Sequence, residues 1–501
     1  MKTKKIISWA VALCMGVMLH SCDLDQKVFS SLTNANFPQT VEDIDALMVG
    51  MYANFKANSG GMWDDSNGGW AMPIYAAGDG WWAYSEFTSD ECRHQSNRLY
   101  DFNWAGAWDT FMTYTISRNI TRCTFILDQL EKVGGLPEAA KATKIAEAKT
   151  LRAWLMFCFY DLYGPVSCVL EPEELSNIGY TPRPTKEAYF NRMVSDLQES
   201  LPYLYDKTNN TGNWGRVNKG LATMLLMKAY MNDHQYDKAL PYAESMKTMG
   251  YKLSDDYKDI FINEMNDETV WAVPSGELAG NEYFFYAFPP NCITFGKDFE
   301  YKSGANRWGG YLMPWEFYDT YDKADARLEV IFDSYKSADG TLYTRPGGGG
   351  ASDDRIQQGA VPVKYLCNDS EKYSNGNTHI VAFRYADVLL SLAEIENELN
   401  GPTKKALGYL KQITDRVGVT HTIPADIQSS KEKFKEFLLM ERGRELFMEG
   451  WRRQDLIRFG KYIEFAKNRG CTAAKDYMVL FPIPPKVITE SGGVIEQNPG
   501  Y

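Results

Sequence analysis

The chain has 501 residues, 44% of them hydrophobic, and a formal net charge of −12. That charge argues against a nucleic-acid partner and against a basic face docking on anionic lipid. The apolar content suffices for a real core, and the length exceeds that of a usual single core, so a main body with a large insertion is expected.

Residues 1–22, MKTKKIISWAVALCMGVMLHSC, set the compartment. Lys2, Lys4 and Lys5 make a positive start, Ile6 to Met18 an apolar stretch too short to span a bilayer, and Ser21 a small residue before Cys22. This order predicts a bacterial secretory signal over 1–21 ending in a lipobox, with Cys22 acylated as the mature N-terminus. Losing residues 1–21 removes three lysines and no acid, which takes the formal charge from −12 to −15. No later run approaches 18 apolar residues, so the lipid is the only membrane contact expected.

Cys92, Cys123, Cys158, Cys168, Cys292, Cys367 and Cys471 follow, an odd number without a CxxC. One disulfide is possible, and spacing does not give its connectivity; Cys123 and Cys158 lie in apolar helical stretches and read as buried thiols. The five histidines are scattered and no HExxH occurs, so neither a zinc site nor any cofactor is expected.

Residues 22–40 read as a tether and 41–58 as a short helix. Residues 59–103, rich in Gly, Trp, Asp and Asn, read as long loops. Helices resume from about 104. In 145–163, Ala148, Leu151, Leu155, Cys158, Phe159 and Leu162 keep the spacing of one buried helix face, stopped by Gly164-Pro165. A helix over about 184–205 follows. Then Ala222, Leu225, Leu226 and Ala229, a turn at Asn232-Asp233-His234, and Tyr236, Ala239, Leu240, Ala243 and Met246 predict a close-packed helical hairpin of the tetratricopeptide kind. A second hairpin is predicted over 384–400 and 403–417, turning at Asn400-Gly401-Pro402. Between the hairpins, 251–377 is irregular and rich in glycine and aromatics. A final helical stretch spans 430–468, where Glu441–Arg444, Arg442–Glu445, Arg452–Asp455 and Asp455–Arg458 are spaced as i,i+3 ion pairs that hold helix and turn. The expected fold is therefore mostly α: one body over 41–501, with a helical-repeat scaffold at about 104–250 and 378–468 and loop-rich regions at about 59–103 and 251–377.

Six segments, in this order, resemble the SusD/RagB family of nutrient-binding outer-membrane lipoproteins of Bacteroidetes. They are the lipobox with Asp23 and Asp25, EAKTLRAWLMFCFYDLYGPV at 147–166, WGRVNKGLATMLLMKAYM at 214–231, FRYADVLLSLAEIEN at 383–397, ERGRELFMEGWRRQDLIRFGKY at 441–462, and LFPIPPKVI with QNPGY at 480–501. Trp451 stands where relatives commonly carry histidine. The resemblance implies tetratricopeptide-like pairs supporting an irregular binding region and a SusC-like TonB-dependent β-barrel partner. It also implies oligosaccharide as the usual ligand, display on the outer membrane, and no catalysis.

Sugar rings present flat C–H faces that stack on aromatic rings, while polar side chains at the rim read the hydroxyls. Trp63, Trp70, Trp81 and Trp82 lie in glycine-rich loop composition, where a tryptophan is either exposed for a ligand or buried to anchor the loop. Tyr283 and Tyr286 flank Phe284-Phe285; strand alternation would aim Tyr283 with Phe285 and Phe284 with Tyr286. Trp308 sits between Arg307 and Gly309. Asp65, Asn67, Asp79, Glu86 and Arg307 are candidate rim partners. Core packing is the competing role for every one of these aromatics. Pro346–Gly350 is glycine-rich but lacks the Lys-Ser/Thr of a phosphate loop and reads as a surface loop. A helical glycoside hydrolase would need two carboxylates about 5–9 Å apart, and Asp79, Glu86, Asp90 and Glu91 leave that alternative open. A peptide-binding repeat protein is the third.

Overall fold

The computed structural model describes residues 38, 40–58, 63–64, 69–70, 72–94, 99–104, 114–176, 179–209, 211–263, 265–276, 280–289, 292–295, 299–300, 309–365, 378–419 and 423–501, with backbone alone at 63–64, 69–70, 284–285, 292–295 and 299–300. Cys22 and the signal segment lie outside these residues. Among the described residues no helix is long and apolar enough to cross a membrane.

The fold is mostly helical. Helix Val41–Tyr52 starts at a capping box: the Asp43 amide donates to the Thr40 hydroxyl at 3.2 Å, and the Thr40 amide donates to the Asp43 carboxylate at 3.0 Å. This satisfies two of the backbone donors that a helix start leaves open. Helix Glu138–Tyr163 is buried at nearly every position from Ala146 to Phe159, so it forms the central strut rather than a one-faced surface helix. It ends where Gly164 takes φ +72°.

The two predicted hairpins form as Lys219–Asn232 with Tyr236–Met246, and Tyr385–Asn400 with Lys404–Arg416. Ala229, Ala239 and Ala243 are buried at the first hairpin, where small side chains let the backbones approach. His234 (φ +55°) and Gly401 (φ +81°) make the left-handed turns. Helices Glu138–Tyr163, Lys186–Ser200, Lys219–Asn232, Tyr236–Met246 and Tyr385–Asn400 pack successively against one another, and helix Lys431–Leu446 closes the array against the last.

Two expectations give way. The supposed loop region contains a fully buried helix, Trp81–Phe87, started at Gly80, where a Cβ would lie 2.4 Å from the Pro73 carbonyl oxygen. The supposedly irregular insertion contains antiparallel sheets. One joins Arg93–His94, Tyr311–Pro314, Gly359–Pro362 and Ile331–Phe332. Another joins Leu342–Thr344, Ser334–Ser337, Cys292–Phe295 and Phe299–Glu300. Thr269–Val273 pairs with Ile380–Arg384, both buried at every position, which erases the polar alternation that marks a strand in sequence. Pro346–Gly350 is an exposed turn after Leu342–Thr344.

A lattice of buried ion pairs ties these parts to the C-terminal helices. Arg384 is fully buried and bonds Glu268 at 2.8 Å, Glu445 at 2.5 Å and Glu449 at 2.8 Å. Arg416 shares Glu268 and Glu445 with it, Lys364 shares Glu449, and Arg327 joins Asp325, Glu441 and Glu445. Arg442 links Asp387 and Asp455, which Lys228 and Arg458 also hold. Two of the expected i,i+3 pairs form, Glu441–Arg444 and Asp455–Arg458, each at 2.7 Å. Arg442 and Arg452 instead take tertiary partners, because Glu445 is engaged by Arg384, Arg416 and Arg327, and Asp90 binds Arg452 at 2.7 Å.

Between the last helices the chain turns at Gly450 (φ +86°), seated on the Trp81–Trp82 rings, where a Cβ would come within 2.9 Å of Trp81. The Gly450 amide donates to the Glu86 carboxylate at 2.5 Å and the Met448 amide to Glu91 at 3.3 Å. Burial pushes both carboxyl groups up, Glu86 to about 7; the neighbouring Glu86 raises Glu91 further, while the Gly450 amide and Glu91 hold Glu86 lower than burial alone would. Cys92, Cys123, Cys158, Cys168 and Cys471 are buried free thiols.

Removing Arg384 leaves three buried carboxylates short of their shared cation, so Arg384→Met should lower unfolding free energy in urea by about 3–5 kcal/mol. The pH dependence has two opposing arms. Glu445 and Asp387 are held far below their ordinary range by neighbouring cations, so their stabilisation is lost as pH falls below about 4. Glu86 is raised, so the folded state holds its proton more tightly than the unfolded chain, and stability declines as pH rises from about 4.5 through 7. Urea titrations across pH 4.5–8 should show that decline, to which the likewise raised Glu91 adds, and Glu86→Gln should make it shallower.

Candidate functional site

Helix Tyr283–Ala287 and strand Tyr311–Pro314 stand over the Trp81–Phe87 helix and build an aromatic column. At its base the Trp82 ring lies 4.3 Å from Tyr283 and 5.6 Å from Tyr311. At its top Tyr286 stacks on Tyr311, centroids 5.5 Å apart and planes within 12°. Tyr311 is fully buried and its hydroxyl donates to the Ala77 carbonyl; Tyr286 is only half-buried, so it is the rung that reaches the surface.

Around that rung lie Gly78, Asp79, Glu282 and His94. A Cβ at Gly78 would sit 3.2 Å from the Tyr286 hydroxyl, so any larger residue there would press on the phenol tip. Burial together with the Glu282 and Asp79 carboxylates pushes the Tyr286 phenol up to about 12, which keeps it a neutral donor and acceptor. Burial brings His94, 6.5 Å ring to ring from Tyr286, down to about 4, so its imidazole is neutral at pH 7. Asp79 and Glu282 are half-exposed. The group thus sets one aromatic ring with a polar tip beside two carboxylates and a neutral imidazole, residue types suited to reading neutral hydroxyls. Among the described residues no cluster of His, Cys, Asp and Glu could hold a metal ion.

Tyr286 and Asp79 come together here. Four other predicted contacts are corrected: Trp81 is 1% exposed, Trp82 0%, Tyr283 1% and Glu86 0%. The Trp81 indole N–H donates to Asp161 at 2.8 Å and that of Trp82 to the Met448 carbonyl at 3.3 Å. With polar edges satisfied inside the core, both tryptophans are anchors under the column. The expected alternation of residues 283–286 fails because the segment is helical. Trp104 is likewise buried, its indole N–H on the Tyr501 hydroxyl at 3.1 Å. Trp63 and Trp70 are directly opposed register partners in a short hairpin. Asp65, Asn67, Arg307 and Trp308 lie outside the described residues. The Gly310 amide donates to the Tyr286 carbonyl at 2.6 Å, which fixes the start of strand Tyr311–Pro314 at the top of the column.

His94 and Glu282 escaped the sequence reading. Glu282 directly precedes Tyr283 and was findable by its position; nothing near His94 in sequence pairs it with Tyr286. Glu91 is fully buried beside Glu86, and Asp90 is held on both oxygens by Arg452 at 2.7 and 2.8 Å.

The likenesses to known proteins agree with this architecture. A SusD-like protein of Formosa agariphila is 25% identical over 423 residues, covering 77% of this chain and 78% of its own length. The starch-binding protein SusD of Bacteroides thetaiotaomicron is 25% identical over 490 residues, covering 83% and 84%. The surface glycan-binding protein A of Bacteroides thetaiotaomicron, solved with laminarihexaose, superposes with a TM-score of 0.70 at 19% identity over 92% of this chain and all of its own. The model of the SusD family matches residues 233–501, more than half of the sequence, from the turn of the first helical hairpin onward. The chain belongs to the SusD family.

Proposed function

We propose that this protein captures oligosaccharides at the Tyr286 column and delivers them to a SusC-like TonB-dependent β-barrel transporter of the outer membrane. The observation that supports the reading is the half-buried Tyr286 crowning a buried aromatic column between Asp79 and Glu282. A sugar face packs on such a ring, and its hydroxyls donate to the carboxylates at either side. The names of the starch-binding and laminarihexaose-bound relatives support the ligand class. The reading assigns no catalysis: Glu86 and Glu91 are sealed in the core and Asp90 is committed to Arg452. It places the mature chain on the outer membrane through an acylated Cys22, facing the exterior.

A glycan array followed by calorimetry tests it. Tyr286→Ala should weaken the best glycan at least tenfold, the loss of more than about 1.4 kcal/mol expected for one stacking platform. Asp79→Ala should weaken it several-fold. Unchanged isotherms with an intact circular dichroism spectrum would remove this site. Cys22→Ala should shift the protein from the membrane to the soluble fraction; retention on membranes without the barrel would count against the anchor.

A further inference from the structure

Strand Arg93–His94 divides two environments. His94 faces the Tyr286 column, and Arg93 lines a separate cleft of about 880 Å³ with Tyr100, Trp315, Gln357, Asn468 and Arg469. In that cleft two guanidinium groups lie over the one Tyr100 ring, Arg93 at 4.9 Å and Arg469 at 4.4 Å from its centroid.

These two arginines differ from the others near the core. Arg327, Arg384, Arg416, Arg442, Arg452, Arg453 and Arg458 are each bound to a carboxylate. Arg93 and Arg469 form no ion pair among the described residues. Arg469 is fixed in place by donating to the carbonyls of Thr88 at 2.9 Å and Tyr100 at 3.1 Å. Its Nε and Nη1, and the Nε of Arg93, are buried with no acceptor among the described residues. A buried cationic donor without an acceptor is costly unless an anion reaches it. The carboxylates bordering the cleft do not serve: Asp90 is bound to Arg452, and Glu316 is exposed at the rim.

The rest of the lining is of the kind that packs a sugar. Trp315 and Phe465 are half-buried; the Trp315 indole N–H is given to the Ile356 carbonyl at 3.1 Å and Arg345 lies 4.5 Å over its ring, so only the ring surface away from Arg345 is left to offer. Gln357 and Asn468 present exposed amides. Two planar guanidinium groups gathered at one tyrosine suit a planar or tetrahedral oxyanion.

We propose that this cleft is a second saccharide site that takes a sugar carrying a carboxylate or a sulfate ester, its oxyanion held by Arg93 and Arg469. The proposal rests on the glycan-binding reading for its choice of saccharide, and it extends the ligand class from neutral to acidic glycans.

Calorimetry of the full mature chain with trigalacturonate, a sulfated galactose trisaccharide and neutral galactotriose tests it. At least one acidic probe should bind more tightly than galactotriose, with affinity falling as salt rises. Comparison of the two acidic probes identifies carboxylate or sulfate as the group held. Arg93→Gln should weaken the acidic probe at least tenfold, and Tyr286→Ala should leave it within twofold. Arg469→Gln should do the same as Arg93→Gln, but it also removes two backbone hydrogen bonds, so Arg93→Gln is the deciding variant. Equal affinity for acidic and neutral probes, or acidic binding untouched by Arg93→Gln, overturns the proposal. If neutral glycans still bind through Tyr286 in that case, the glycan-capture reading survives; if no saccharide binds anywhere, both fall.

Discussion

Arg384 holds the molecule together by being expensive to leave alone. Its guanidinium is fully buried, and three carboxylates from two distant parts of the chain, Glu268 and the Glu445–Glu449 pair, converge on it. A buried ion pair adds little net stability over a well-packed apolar pair, but an unmatched buried charge is heavily penalised. The lattice around Arg384 therefore acts less as glue than as a specification. Only one arrangement of the Thr269–Val273 and Ile380–Arg384 strands, the Lys404–Arg416 helix and the Lys431–Leu446 helix neutralises every member. Apolar packing of Leu and Ala on the helical hairpins would tolerate small slips; the lattice does not.

That specification reaches the surface through the tryptophans. The turn at Gly450 follows the last lattice carboxylate, Glu449, and lies directly on Trp81 and Trp82. Trp82 carries Tyr283 and Tyr311, and Tyr311 carries Tyr286. The half-exposed Tyr286 ring is thus supported by a stack of buried groups down to the ionic core. A rigid ring of this kind loses little freedom when a ligand lands on it.

The helical half of the fold was legible because its code is local. Leu151, Leu155 and Phe159 repeat at helix spacing, and Asn400-Gly401-Pro402 ends one helix and opens the next. The strands of the insertion were not legible. Buried at every position, Thr269–Val273 shows no alternation. The candidate site was half legible for a related reason. Glycine beside tryptophan reads as loop, yet Gly80 serves a tight turn that drives Trp81 and Trp82 inward, while the less conspicuous Tyr286 is left at the surface. Ion pairing showed the same split: Glu441–Arg444 and Asp455–Arg458 formed as spacing suggests, whereas Arg442 and Arg452 were claimed by carboxylates far away in sequence, which no local pattern encodes.

Those far partners set an order of assembly. Arg452 meets Asp90 across 362 residues, Gly450 meets Glu86 across 364, and Arg453 meets Asp161 across 292. The amino-terminal third can form its helices as it emerges, but Asp90, Glu91 and Asp161 have no counter-charge until the segment around 450 arrives. Loop closure over such lengths is slow, and native contacts of this range retard folding. The late-arriving arginines then act as a latch, and the chain becomes one cooperative unit only when they engage.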